Sequence, residues 1–268
     1  MAELDAARLR YGLGERYARI EVVETTGSTN ADLREALLAG AADRTVLLAE
    51  QQTAGVGRRA RSWVSPKGGL YLSIALRPAG VAFAALGSLS VVAGLAVYEL
   101  ATDLGVDAAL KWPNDVLAGP RRAKCAGILA EAVGNGESAV VLGIGLNVAP
   151  LGDDIPAGPG GLPATSLAEQ GAATTDRTDV ALGLLTRFDD LERRWRAAGG
   201  DLTEAGLLSD YRAKCATLGQ DVQVQLPDGS TLTGRAADLD RTGQLQVDVP
   251  DGRRLTVYAG DVVHVRPA

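Results

Sequence analysis

The chain is poor in the residues that staple or metallate a small fold: it has one histidine and two cysteines in 268 residues. Cys125 and Cys215 lie far apart with no CxxC spacing, and His264 falls near the C-terminus. Neither a disulfide framework nor a His/Cys zinc site is expected, and both thiols are expected to be reduced. A basic surplus is also missing. Lys plus Arg is 27 against 33 for Asp plus Glu, a formal net charge of −6. That is poor footing for sequence-independent nucleic-acid binding, so any basic site has to be local. The N-terminal "MAELDAARLRYGLGER" has no continuous apolar core, and no later stretch is read as an uninterrupted membrane span, so a soluble cytoplasmic protein is expected. Roughly twenty residues precede the first expected strand, too few for the three or so helices of a helix-turn-helix DNA-binding domain. No internal repeat is visible. The length suits one large domain, or a catalytic domain with a small companion, and either can bury a core.

What is present reads as alternating strands and helices. Glu3 to Tyr11 predicts a short helix, "ARIEVVETTGSTN" a strand running into a turn, and "NADLREALLAG" a helix stopped at Gly40. "TVLLAEQQ" and "GGLYLSIALRP" predict buried strands on either side of a basic loop. "LGSLSVVAGLAVYELATDLG" predicts a long, nearly all-apolar helix covered by the sheet. "AALKWPNDVLA", "AKCAGILAEAV" and "ESAVVLGIGLNVA" predict three more strands in a meander, giving a mixed α+β sheet. "APLGDDIPAGPGGLPATS" is too rich in Gly and Pro for regular structure. "TDVALGLLTRFDDLERRWRAAG" and "TEAGLLSDYRAKCA" predict helices. From Leu218 the chain alternates strictly, with two "DG" and two "TG" pairs as turn signals, which predicts a small β-barrel of about fifty residues. The expected division is therefore 1–217 and 218–268.

Five short segments carry candidate chemistry. In "TAGVGRRARSW" the glycines Gly55 and Gly57 expose backbone N–H groups, and Arg58, Arg59 and Arg61 add forked cationic donors suited to phosphate or carboxylate. A solvated surface loop has the same composition. No Gly-Lys-Ser/Thr closes the loop and no helix follows it, which excludes a Walker A loop and a dinucleotide fingerprint. "KWPND" combines Lys111, Trp112, Pro113, Asn114 and Asp115. Pro113 is read as holding the chain extended and Asn114-Asp115 as turning it, aimed at a ligand or merely ending a strand. Lys124 in "KCAGI" precedes the small residues Ala126 and Gly127, and "GIGLN" offers Gly143 and Gly145; each is either a wall that a ligand lies against or a bulge. "TGSTN" supplies Ser28, Thr29 and Asn30 at a strand-to-helix junction, as ligand contacts or as a helix N-cap.

In order and spacing, "TGSTN", "EQQTAGVGRRARSW", "KWPND", "KCAGILAE" and "GIGLN" followed by a small barrel resemble the biotin protein ligases, from about Ile20 onward. The resemblance implies an α+β fold: a mixed β-sheet catalytic domain packed with helices, of the class II synthetase-like biotin/lipoate ligase superfamily, plus a C-terminal SH3-like β-barrel. It implies the short form, without the N-terminal DNA-binding domain of some members. The implied reaction joins biotin and MgATP into biotinyl-5′-AMP, then moves biotin to a lysine of a biotin carboxyl carrier domain of an acyl-CoA carboxylase. The partners implied are biotin, ATP with Mg²⁺ and that carrier, with no nucleic acid or membrane, in a monomer or homodimer.

Residue by residue, the resemblance places Lys124 between the biotin carboxylate and the α-phosphate, Arg58, Arg59 and Arg61 around the phosphates and adenylate, and Lys111 near the triphosphate. Asn114 and Asp115 would sit near ATP, with Asp115 the candidate contact for its Mg²⁺. Ser28, Thr29, Asn30 and Gln52 would hold the ureido ring, and Gly55, Gly57, Gly127, Gly143 and Gly145 would let biotin lie against backbone. Asn147 would face the adenine, and Trp63 and Trp112 would be apolar walls or, equally, core. The chain departs from the family loop Gly-Arg-Gly-Arg-Arg-Gly-Arg at Val56 and Ala60, and Cys125 stands where leucine is common. A lipoate–protein ligase, and a biotin-binding protein of impaired ligase activity, are the alternatives.

Overall fold

The computed structural model describes residues 3–134, 139–152, 155–258 and 260–264. Helix α1 (Ala6–Leu13) starts later than the sequence suggests, because the Asp5 carboxylate accepts the Arg8 N–H at 2.9 Å and caps it. Strand β1 (Arg19–Thr26) pairs in parallel with β2 (Thr45–Gln52) across the crossover helix α2 (Thr29–Leu38). β3 (Leu70–Leu76) follows, then a 3-10 turn over Phe83–Ser88 and helix α3 (Leu89–Asp103). Strands β4 (Ala108–Lys111), β5 (Asp115–Ala118), β6 (Ala123–Val133) and β7 (Ala139–Leu146) complete a mixed seven-stranded sheet of order β1-β2-β3-β7-β6-β5-β4.

Period-two alternation sorts this sheet into two faces. Leu70, Leu72, Ile74 and Leu76 of β3 join Val140, Leu142, Ile144 and Leu146 of β7 in the main core with α3 and with α4 (Arg177–Ala197). Ala75, Val141, Ala139 and Val133 face the other way and pack on Leu33 and Leu37 of α2. Ten of the fifteen residues of α3 are buried. Contrary to the sequence reading, Phe83–Asp103, 21 residues, is long and apolar enough to cross a membrane by length and composition; in the fold it is a core helix between the sheet and α4.

Several expected elements are redrawn. "AALKWPNDVLA" is two strands, not one: β4 and β5 form a tight hairpin with Lys111 opposite Asp115, and a cis Trp112–Pro113 bond lies in the turn, so Pro113 does not keep the chain extended. The Gly/Pro-rich loop holds a 3-10 turn at Pro159–Gly161, and Ala164 bridges to Lys124. Its Asp153 and Asp154 lie outside the described residues, as do Glu137 and Ser138 at the start of the expected β7 segment. The last predicted helix is reduced to α5 (Leu208–Lys214). The tail forms a five-stranded antiparallel, barrel-like sheet from β8 (Asp221–Gln225), β9 (Thr231–Leu239), β10 (Leu245–Asp248), β11 (Arg254–Val257) and β12 (Asp261–His264), in the order β11-β10-β9-β8-β12. Both "DG" pairs make turns, with Gly229 and Gly252 at φ 84° and 86°. The first "TG" pair does not: Gly234 lies within β9, where a side chain would run into the Asp248 carbonyl of β10. The expected strand end after His264 lies outside the described residues.

Candidate active site

Register builds a shelf beside α2. Tyr71 pairs with Gly145, Gly145 with Gly127, and Gly127 with Asp115; one step along the strands, Ser73 pairs with Gly143 and Gly143 with Leu129. Three glycines on one sheet face keep that stretch low as a trough, and Leu129 borders it. The trough encloses about 100 Å³, walled by Ser28, Thr29, Asn30 and Gln52 on one side and by Lys111, Asn114, Asp115 and Lys124 on the other.

Lys124 reaches this face through a β-bulge. Val116 pairs with Ala126 but Leu117 with Lys124, so Cys125 is an extra residue. The shift puts Lys124 and Gly127 on the same side, although they are three apart. Cys125 itself turns into the main core, where burial pushes its thiol up to about 12. The Lys124 ammonium lies 2.6 Å from Asp115 Oδ1 and 5.1 Å from the centre of the Trp63 ring. Lys111 Nζ is 3.8 Å from Asp115 Oδ2 and donates to the Val262 carbonyl of β12 at 2.9 Å. Burial lowers the Lys111 pKa, and Asp115 opposes that fall.

The basic loop folds back on itself. Val56 bridges to Ser62, and the Gly57 N–H donates to the Arg61 carbonyl at 2.7 Å. Arg59 and Ala60 both sit at φ 55°. That region is unfavourable for a residue with a Cβ, so Ala60 strains a position where glycine would rest. The loop arginines converge on one carboxylate of the barrel: Arg61 Nη2 is 2.8 Å from Asp261 Oδ1 and Arg59 Nη1 is 3.2 Å from Oδ2. Arg58 lies 3.7 Å from Oδ1 and donates to the Gly260 carbonyl at 2.9 Å. Burial would raise the Asp261 pKa, but the Arg61 bond and the charges of Arg61 and Arg58 outweigh it and hold the carboxyl below its ordinary range. The contact is therefore present at neutral pH and lost only as pH falls through that depressed value. Asp261→Asn is expected to loosen the loop in the ligand-free chain. Tryptic cleavage within 53–63 should quicken by about tenfold or more, since hydrogen bonds to charged groups contribute roughly 1.5–3 kcal/mol each. Unchanged cleavage would mean that other contacts hold the loop.

A glycine trough, a polar wall and a convergent set of cations share one cavity. Comparison with known proteins gives the family. The sequence model of the Biotin/lipoate A/B protein ligase family matches residues 21–147, and that of the Biotin protein ligase C terminal domain matches 217–265. The biotin–[acetyl-CoA-carboxylase] ligase of Mycobacterium tuberculosis is 42% identical over 98% of this chain and 96% of its own length. This chain belongs to the biotin protein ligase family. The ligase of the same name from Paracoccus denitrificans is 37% identical over 74% of this chain and 81% of its own. The biotin protein ligase of Aquifex aeolicus, solved in complex with biotin and ATP, superposes with a TM-score of 0.75 at 27% identity, over 94% of this chain and all of that one.

Most of the residues singled out from the sequence meet at the trough, and Gly55, Arg59, Asn147 and Trp112 do not line it. Gly55 lies under the loop, where a side chain would fall 2.5 Å from the Trp63 carbonyl. Arg59 turns to the barrel and donates to the Leu226 carbonyl at 2.7 Å. Asn147 lines a neighbouring cavity with Trp63, Ile155 and Leu162, and gives its amide to the Thr165 carbonyl at 2.9 Å. Gly143 borders the trough, but its missing side chain makes room for the Asn30 carboxamide. Ser28 occupies the N-cap position of α2 without a capping bond, so its hydroxyl is left for the cavity. Trp112 is core, its indole N–H bonded to the Gly243 carbonyl at 2.8 Å. Sequence reasoning missed Asp261, Ser73 and Glu131. A lone serine in the apolar run "LYLSIAL" was the available signal for Ser73; the other two carry none. For Mg²⁺ the fit is poor: two lysines already flank Asp115, and the described residues hold no group of three or more His, Cys, Asp or Glu.

Proposed function

We propose that this chain is an ATP-dependent biotin–protein ligase that forms biotinyl-5′-AMP and passes biotin to a lysine of a biotin carboxyl carrier domain. The observation that carries the reading is Lys124 at the end of the glycine trough, with Arg58 and Arg61 bordering the same cavity. In the first step a carboxylate oxygen of biotin bonds to the α-phosphorus of ATP and the bond to the β-phosphate breaks, releasing pyrophosphate. Two anions must meet, so cations fixed in a water-poor cleft supply the stabilisation. Lys124 exchanges Asp115 for the biotin carboxylate and α-phosphate, while Arg58 and Arg61 exchange Asp261 for phosphate oxygens. In the second step the unprotonated amine of the acceptor lysine attacks the anhydride carbonyl and AMP leaves. No enzyme nucleophile is needed. Mg²⁺ arrives on the nucleotide, where it screens the phosphates.

Thr29 and Gln52 favour biotin over lipoate, because the ureido ring offers N–H and C=O groups and the dithiolane ring of lipoate offers neither. We assign 1–217 to catalysis and 218–268 to a barrel that closes over ATP or docks the acceptor, in a cytoplasmic enzyme. Pyrophosphate release that requires biotin, and that lipoate does not support, tests the reading. Biotin binding without pyrophosphate release would instead mark a binding protein.

Val56 stands at the mouth of the trough, 47% exposed. Val56→Arg would bring another guanidinium to the phosphates, and each hydrogen bond to a charged group contributes roughly 1.5–3 kcal/mol. The expected result is a lower KM for ATP and slower escape of the adenylate, both measurable by rapid-quench kinetics. No change in either would mean that position 56 does not face phosphate.

A further inference from the structure

The room above the three glycines is taken up by the chain's own side chains. At Gly143 the Asn30 carboxamide fills it. At Gly145 and Gly127 the Trp63 indole does: a Cβ would fall 2.5 Å from its Nε1 at the first and 3.2 Å from its Cζ3 at the second. Those two glycines pair across β6 and β7, so one aromatic ring spans both strands. The space left beside it is about 100 Å³, against roughly 300 Å³ or more for an ordinary small-molecule pocket. Trp63 and Lys124 are also the two residues that this trough shares with the neighbouring cavity of Asn147, Ile155 and Leu162, so they form the partition between the two.

One of these two fillers is fixed and the other is not. The Asn30 amide Nδ2 is 2.6 Å from Glu131 Oε2, and its Oδ1 is 2.6 Å from Ser73 Oγ. The Trp63 indole N–H is buried with no partner among the described residues. By contrast, Trp112 gives its N–H to the Gly243 carbonyl at 2.8 Å and Trp195 gives its own to Ser88 Oγ at 2.7 Å. A buried donor without an acceptor gains a hydrogen bond on reaching water, so the resting place of Trp63 is the least settled of the three. What opposes its leaving is apolar contact with backbone and the Lys124 ammonium, 5.1 Å from the ring centre, a modest attraction. Its chain neighbours Ser62 and Val64 are exposed, so the loop has water to move into.

We propose that Trp63 is a displaceable plug: its indole rests where the biotin ring is to lie, and biotin seats only after the indole swings off Gly127 and Gly145. The inference rests on the biotin reading of the trough and gives Trp63 a role other than that of a fixed apolar wall. Displacement does two further things. It takes the ring away from Lys124, which keeps Asp115 at 2.6 Å until a carboxylate arrives, and it makes the trough continuous with the cavity beside Asn147.

The test is the rate at which tritiated biotin associates with the full chain, timed by rapid filtration for wild type and for Trp63→Ala. A form that makes up on the order of 0.1–10% of the molecules lowers the observed association rate by that fraction, so removing the plug is expected to quicken association about tenfold or more. A fixed wall gives a different result, because truncating it quickens dissociation and leaves association as it was. Association unchanged or slower in the variant would therefore overturn the proposal, whatever happens to the Kd. Wild type that binds no biotin would instead overturn the functional reading beneath it. Should Trp63→Ala not fold, Trp63→Leu, whose side chain is too short to reach both glycines, carries the same comparison.

Discussion

Lys124→Ala is expected to lower biotin-dependent pyrophosphate release at least a hundredfold. The residue is the one ammonium that the bulge at Cys125 aims along the glycine trough, and it borders the cavity rather than the protein interior. Its charge is needed most when the carboxylate oxygen and the α-phosphorus are partly bonded and negative charge is concentrated. Removing one such charge-assisted contact typically costs about 2.7–4 kcal/mol in the transition state. Biotin binding should weaken much less, because the proposed reading seats the ring on the Ser28–Gln52 side of the cavity and not on Lys124. Lys111 remains 3.8 Å from Asp115, so that carboxylate keeps a counter-charge and the fold should survive. Pyrophosphate assays at saturating ATP, run beside equilibrium biotin binding, separate the two effects. Release near the wild-type rate would remove Lys124 from the chemistry.

Gly145→Val is expected to act the other way, on binding before chemistry. A Cβ at this position already falls 2.5 Å from Trp63 Nε1, and valine adds two further carbons above the shelf that Gly145 and Gly127 form across β6 and β7. Overfilling a packed site costs about 1–3 kcal/mol, so biotin affinity should drop roughly five- to hundredfold. Global stability should move little, because Trp63 lies on a loop that can yield. Titration calorimetry and a thermal melt report on the two separately. An unchanged biotin Kd would place the ring elsewhere than on this shelf.

Tertiary contacts also explain why the basic loop could be recognised and yet not fully understood. Three arginines beside two glycines announce an anion site, and nothing local says that the first anion they meet is Asp261, some two hundred positions later. The same holds for Lys124. Its charge is visible in "KCAGI", but the inserted Cys125 that turns it toward Gly127 appears only once β5 and β6 are in register. Pro113 follows the same logic: an apolar run on both sides of "WPN" has the composition of one strand, and only pairing of Lys111 with Asp115 reveals the hairpin.

By itself the sequence determined the α+β class, most of the strands and helices, the small β tail and the clustering of charged side chains in the basic loop. Those properties follow from short-range periodicity, turn residues and side-chain chemistry, all of which are local along the chain. Only the tertiary structure decided which groups face one another: the Asp261 clamp on the loop, the Asn30 carboxamide in the gap at Gly143, and the bond of that amide to Glu131. Each of these joins residues from different elements, and a hydrogen bond or ion pair depends on distances of a few ångströms that strand register and helix docking set.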